Sequence, residues 1–263
     1  MTKIYALVNQ KGGVGKTTTA INLGAYMAQL GMRVLLVDID PQANATACLG
    51  VDHKSLRRGT YDVLIGGALA GEVILHNRKL GLSLLPASAA LAGAQVEMVS
   101  LSDRERLLVN ALTGTHANYD YILVDCPPSL GLLTVNGLVA AHDGVIIPVQ
   151  CEYLALEGLT QLMNTLNRVR SGLFPDLRIR GLLLTMFDGR TNLSRDVVAE
   201  VRRHFPGQVF HAIIPRSVRL AEAPSYGLPI SAYAPASPGA KAYEAFAREI
   251  LQADGVSISE ITS

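Results

Sequence analysis

Between an apolar, β-branched stretch (Ile4 to Val8) and a segment of helical period stands Val8-Asn9-Gln10-Lys11-Gly12-Gly13-Val14-Gly15-Lys16-Thr17-Thr18. Glycines at 12, 13 and 15 let the backbone turn with its N–H groups pointing inward. A helix beginning near Lys16 adds the positive end of its dipole. A strand-to-helix junction of this composition cradles a triphosphate on backbone donors. Gly12, Gly13, Val14, Gly15 and Thr18 would then wrap the phosphates of ATP, Lys16 would reach the β- and γ-phosphates, and the Thr17 hydroxyl would coordinate Mg²⁺. The competing reading is a tight glycine turn that happens to precede Lys-Thr, and the strand before and helix after it weigh against that.

The general pattern G-x-x-x-x-G-K-[ST] requires glycine at position 10, where this chain has Gln10; it also carries a further cation, Lys11. A second lysine has no evident task in a subunit whose Lys16 already meets the phosphates, but it can reach nucleotide held by another copy. This K-G-G-x-G-K-[ST]-T form resembles the deviant Walker A signature of the ParA and Soj family of DNA-partitioning ATPases, relatives of MinD and of the nitrogenase iron protein. The resemblance implies that Lys11 contacts the partner subunit's nucleotide across a face-to-face homodimer formed with ATP.

Two downstream segments bear carboxylates at strand ends, where α/β sheets bind ligands. In Val37-Asp38-Ile39-Asp40-Pro41-Gln42, Asp40 is suited to orienting the attacking water and supporting the Mg²⁺ shell, because phosphoryl transfer needs positioning and charge compensation. The resemblance assigns it the same role; a turn with two solvated acids is the bland alternative. In Tyr121-Ile122-Leu123-Val124-Asp125-Cys126-Pro127-Pro128, Asp125 stands at the Walker B position and is expected to bind Mg²⁺ through water, while the two prolines stiffen the segment that follows, which the resemblance implies is a switch.

Apolar β-branched runs at Ile4 to Val8, Val34 to Val37, Leu82 to Leu85, Tyr121 to Val124, Val145 to Val149 and Ile179 to Met186 alternate with helical segments. Strands this continuously apolar are buried on both faces, so the fold class is α/β: a single-domain P-loop NTPase fold with a mostly parallel central sheet and helices on both faces. Helices are expected at 16–30, 88–99, 103–112, 131–141, 155–171, 193–204 and 239–252. The last would bury Tyr243, Phe246, Ala247, Ile250 and Leu251. With 263 residues, 49% of them hydrophobic, one ATPase domain over 1–253 and a frayed polar tail over 254–263 is the simplest organisation.

Residues 160–220 hold ten arginines against four acids in a chain of formal net charge +1, which suggests one basic face for a polyanion or else ordinary solvated helix surface. The resemblance runs on through Leu184-Thr185-Met186-Phe187-Asp188-Gly189-Arg190 and Ile214-Pro215-Arg216-Ser217-Val218-Arg219, and so covers nearly the whole chain. It implies that Pro215 and Ser217 border the adenine, and that Arg190 and Arg219 bind double-stranded DNA without sequence preference, a salt-dependent contact.

The function implied is DNA segregation. ATP joins two subunits, the dimer binds nucleoid DNA, and slow hydrolysis, stimulated by a centromere-binding partner of the ParB type, releases it. Three widely spaced cysteines, Cys48, Cys126 and Cys151, make no disulfide framework and favour a reducing compartment. No signal peptide and no apolar run near ~18 residues is evident, so a cytoplasmic, nucleoid-associated protein without membrane contact is expected. With the loop at residue 9, no helix-turn-helix extension precedes it, and operator-specific binding is not expected. Open alternatives are a MinD-like ATPase positioning a non-DNA cargo, an iron–sulfur protein using Cys126 and Cys151 at a subunit interface, and an amidoligase. The tail Gly255 to Glu260 lacks the basic amphipathic character that membrane cycling needs.

Overall fold

The computed structural model describes residues 1–257. Eight strands form one sheet: β1 Lys3–Leu7, β2 Val34–Asp38, β3 Leu75–Asn77, β4 Leu82–Leu85, β5 Tyr121–Asp125, β6 Gly144–Gln150, β7 Ile179–Phe187 and β8 Val209–Pro215. In spatial order they run β3-β4-β2-β5-β1-β6-β7-β8, and only the β3–β4 pairing is antiparallel. The helices are α1 Lys16–Gln29, α2 Asn44–Cys48, α3 Thr60–Leu64, α4 Ala70–Val73, α5 Leu91–Glu97 and α6 Leu107–Leu112. They continue with α7 Leu132–Ala140, α8 Ala155–Gly172, α9 Asn192–His204, α10 Val218–Glu222, α11 Ile230–Tyr233 and α12 Pro238–Ala253.

Successive strand residues point to opposite faces, so each central strand feeds two cores. Ala6, Leu35, Val37, Ile122, Val124 and Ile147 pack with α5 to α9 on one face. Leu7, Leu36, Leu123, Ile146 and Leu183 meet α1 and α12 on the other. All six strands and seven helices read from the sequence are present, and the α12 residues from Tyr243 to Leu251 named above are buried as expected.

Two expectations change. Asp254, assigned to a frayed tail, is fastened to the sheet: its carboxylate accepts Tyr5 Oη (2.8 Å) and Tyr121 Oη (3.0 Å) and pairs with Arg180 (3.1 Å). Its side chain is only 6% exposed; residues 258–263 of the expected tail lie outside the described residues. The arginine-rich segment is not one face, because β6, β7 and β8 are parallel and the helices between them run back. Arg168, Arg170, Arg178, Arg180, Arg202 and Arg203 therefore gather at the amino edge of the sheet, while Arg190, Arg195, Arg216 and Arg219 sit at its carboxyl edge.

Candidate nucleotide site

The junction of β1 with α1 lies at the carboxyl edge of the sheet centre, where the chain must leave a buried strand and start a helix within a few residues. Gly13 (φ 74°) and Gly15 (φ 93°) take the left-handed conformation that other residues resist. The amino end of α1 has no side-chain cap and no acid in its first turn. Its orphan N–H groups thus remain available to an anion. Thr185 Oγ1 donates to the Val14 carbonyl (2.9 Å), Asn9 Nδ2 donates to Pro148 O (2.7 Å), and Gln10 Nε2 reaches Thr165 of α8 (3.2 Å). The loop is thereby stitched to β6, β7 and α8 at both of its ends.

Lys16 is buried, and its Nζ donates to the Lys11 carbonyl (3.3 Å). Burial draws its pKa down, while the carboxylates of Asp125 and Asp40 push it back up. Thr17 Oγ1 donates to Asp125 Oδ2 (2.7 Å), whereas Asp125 Oδ1 is buried with no hydrogen-bond partner. Burial, then the charge of Asp38, hold the Asp125 carboxyl well above the ordinary range, with the Thr17 hydrogen bond opposing. An orphaned carboxylate oxygen beside a threonine hydroxyl is a hard-oxygen donor set that fits Mg²⁺. Among the described residues no three His, Cys, Asp or Glu side chains converge to hold a metal by themselves.

The two acids after β2 divide their tasks. Asp38 is consumed internally, accepting from Thr46 N (2.9 Å), Thr46 Oγ1 (2.7 Å) and Asp40 N (3.1 Å). Burial pushes its pKa up to about 6. Among the described residues the Asp40 carboxylate accepts only from Gln42 N (2.9 Å), and it lines a cavity of about 360 Å³ with Gly12, Gly13, Gly15, Lys16, Thr17, Thr18 and Pro128. Pro215 and Ser217 wall a neighbouring cavity of about 240 Å³ together with Gly15, Thr18 and Tyr243. Most candidate residues thus converge on one continuous crevice.

Lys11 stands apart. Its ammonium pairs with Glu152 Oε2 (3.1 Å), both side chains being 47% exposed. The pair opens on a third cavity shared with Met186, Asp188 and Arg216. Arg190 grips Asp188 through Nε (2.9 Å) and Nη2 (2.7 Å), and Arg219 grips Glu222 (2.9 Å). Cys126 and Cys151 are buried, which removes the pair considered for an interfacial cluster.

Sequence reasoning missed Thr185, Met186 and Tyr243. Met186 adopts φ 53° inside β7, where the register to β8 shifts. Leu184 and Phe187 both face the same core, so Met186 is the extra residue of a bulge that thrusts it over all three cavities. Tyr243 Oη meets Thr19 Oγ1 (3.1 Å), tying α12 to α1 just behind the loop. The glycine pattern alone could have flagged only the loop; these contacts come from strands and helices far along the chain.

A family model described as an AAA domain matches residues 2–179. The chain is 53% identical over 250 residues to the sporulation initiation inhibitor protein Soj of Bacillus subtilis, covering 95% of this chain and 98% of that one. It is 54% identical over 246 residues to the chromosome-partitioning ATPase Soj of Thermus thermophilus, covering 94% of each. Among solved structures, cobyrinic acid a,c-diamide synthase from Mycobacterium smegmatis, with bound ADP and magnesium, superposes with TM-score 0.85 at 38% identity over the whole of both chains. No helix among the described residues is long and apolar enough to cross a membrane.

Proposed function

Since the chain belongs to the ParA and Soj family of chromosome-partitioning ATPases, we propose that its crevice binds ATP with Mg²⁺ and that ATP assembles a dimer able to hold DNA. The observation that carries this reading is the cluster of buried Lys16, buried Asp125 and the Thr17 hydroxyl bonded to it, around the uncapped amino end of α1. The loop N–H groups and Lys16 bind the β- and γ-phosphates, and Pro215, Ser217 and Tyr243 border the base. Thr17 and Asp125 would hold Mg²⁺, which when bound offsets charge on the β- and γ-phosphate oxygens. Asp40, free of other partners on one oxygen's side of the cavity, orients the water for in-line attack.

Lys11 must leave Glu152 to meet nucleotide on a second copy. The γ-phosphate therefore favours the dimer through a contact that one subunit cannot make, which is a population shift. Arg190 and Arg219 lie at the same edge of the sheet as the crevice, so pairing two subunits doubles their number and turns weak phosphate contacts into avidity. Slow turnover, raised by a ParB-type partner, resets the cycle on the nucleoid in the cytoplasm. The test is sedimentation and duplex-DNA binding with ADP, ATP and a non-hydrolysable analogue across a salt series. Dimerisation and DNA binding should require the γ-phosphate; a monomer at saturating analogue, or DNA binding indifferent to nucleotide, refutes the reading. Phosphate release from ATP with no acyl acceptor present separates it from an amidoligase.

A further inference from the structure

The two arginines expected to meet DNA are each already held by a carboxylate of their own chain. Arg190 forms a two-pronged pair with Asp188, and the Arg190 N–H also donates to Asp188 Oδ1 (3.1 Å). Arg219 pairs with Glu222, whose same Oε2 accepts Tyr233 Oη (3.0 Å). The arginines are 88% and 60% exposed, while Asp188 and Glu222 are 18% and 38% exposed. The cations are thus presented outward and the acids sit behind them. A carboxylate offers guanidinium a pair of anionic oxygens, as a phosphodiester does.

Building on the DNA-binding reading above, we propose that Asp188 and Glu222 are internal competitors for DNA phosphate that set the affinity of this surface. Binding exchanges one anion for another at each arginine. Arg216 lines the same cavity as Asp188 and its charge also reaches that carboxyl, which offsets part of the cost of releasing Arg190. Arg216 in turn lines the cavity of Pro215 and Ser217. The exchange therefore happens beside the nucleotide crevice.

A counterion argument separates competition from mere proximity. Each phosphate neutralised releases about 0.9 of a condensed cation from duplex DNA. A carboxylate abandoned in the same step recruits a cation, which blunts the salt dependence. Neutral, isosteric replacements restore it. In fluorescence anisotropy with a random-sequence duplex and protein saturated with a non-hydrolysable ATP analogue, Asp188→Asn and Glu222→Gln should each bind roughly 2- to 5-fold tighter than wild type. The log–log salt slope should steepen, by less than the ~0.9 that one whole phosphate contact contributes, and by less at Asp188, which Arg216 also faces, than at Glu222. Both replacements keep an oxygen for Arg190 N–H and Tyr233 Oη, and unchanged affinity for a fluorescent nucleotide reports an intact fold. Asp188 lies in the loop after β7 and Glu222 at the end of α10, so either alone tests the idea. Wild type that binds DNA while both variants bind equally or more weakly, with unchanged slope, overturns the proposal. Wild type that fails to bind duplex at low salt with any nucleotide removes the DNA-binding reading, and the proposal with it.

Discussion

Lys16 and Asp40 face the same cavity but have different work, and substitution should separate them. Lys16→Ala removes the one buried lysine or arginine among the described residues, the cation proposed to meet the phosphates, so ATP binding measured with a fluorescent analogue should weaken about 10- to 100-fold. Asp40→Ala leaves the loop intact. It should keep ATP affinity, lose turnover by about 100-fold or more, and accumulate the ATP-bound dimer in sedimentation. Asp38 supplies a pH signature. Its pKa, pushed up to about 6 by burial, lies above the ~3.9 of an unfolded chain, so the native state holds more protons in that interval. The stability that Asp38 contributes is therefore fully present below about pH 4 and lost as pH rises through about 6, and the raised Asp125 extends the trend in the same direction. Without nucleotide and magnesium, the melting temperature should fall across that window. With Mg–nucleotide bound, ionised Asp125 is favoured and the fall should shrink; a rising profile in the free protein would contradict the assignment.

At the scale of elements, what the sequence displayed was periodicity, and what it hid was short or one-sided. β2, β5 and β6 are near-continuous apolar runs because both faces are covered. β8 was not legible: it is an edge strand, reads Val-Phe-His-Ala-Ile-Ile-Pro, and exposes His211. β3 is exposed throughout, and α2, α3, α4, α10 and α11 are too short to show a helical period. The phosphate loop was readable because glycine chemistry is local. The role of Asp38, the bulge at Met186 and the carboxylates on Lys11, Arg190 and Arg219 depend on neighbours distant in the chain or on side-chain rotamers. Two substitutions probe how elements hold the site. A Cβ at Gly137 of α7 would stand 2.6 Å from Cys126 Sγ and 3.0 Å from Ile39, next to Asp125. Gly137→Ala should cost about 1–3 kcal/mol in denaturant unfolding and weaken magnesium-dependent nucleotide binding. Asp254→Ala strands Arg180 and two tyrosine hydroxyls at the far end of β1, β5 and β7, and should cost roughly 3 kcal/mol, while Asp254→Asn, which retains an acceptor, should cost less.

Across the whole molecule, the phosphate loop, the cavity walled by Pro215 and Ser217, Arg190 and Arg219 share the carboxyl edge of the sheet, and a second group of arginines occupies the opposite edge. Alanine replacement of Arg190 and Arg219 together should lower DNA affinity without altering nucleotide binding, and should flatten its salt dependence by less than the ~1.8 units that two arginines without competing carboxylates would contribute. The same changes at Arg178 and Arg202 should matter less, because those side chains lie away from the crevice. The strand order also bears on how the protein is made. β1 is translated first yet sits at the centre, hydrogen-bonded to β5 in the register Lys3 to Tyr121. At ~5–20 residues per second, the ribosome leaves that strand without its neighbour for on the order of 10 s. The nascent chain therefore carries its phosphate loop unsupported until Asp125 has emerged, so nucleotide can assist the late steps of folding but has nothing to grip in the early ones.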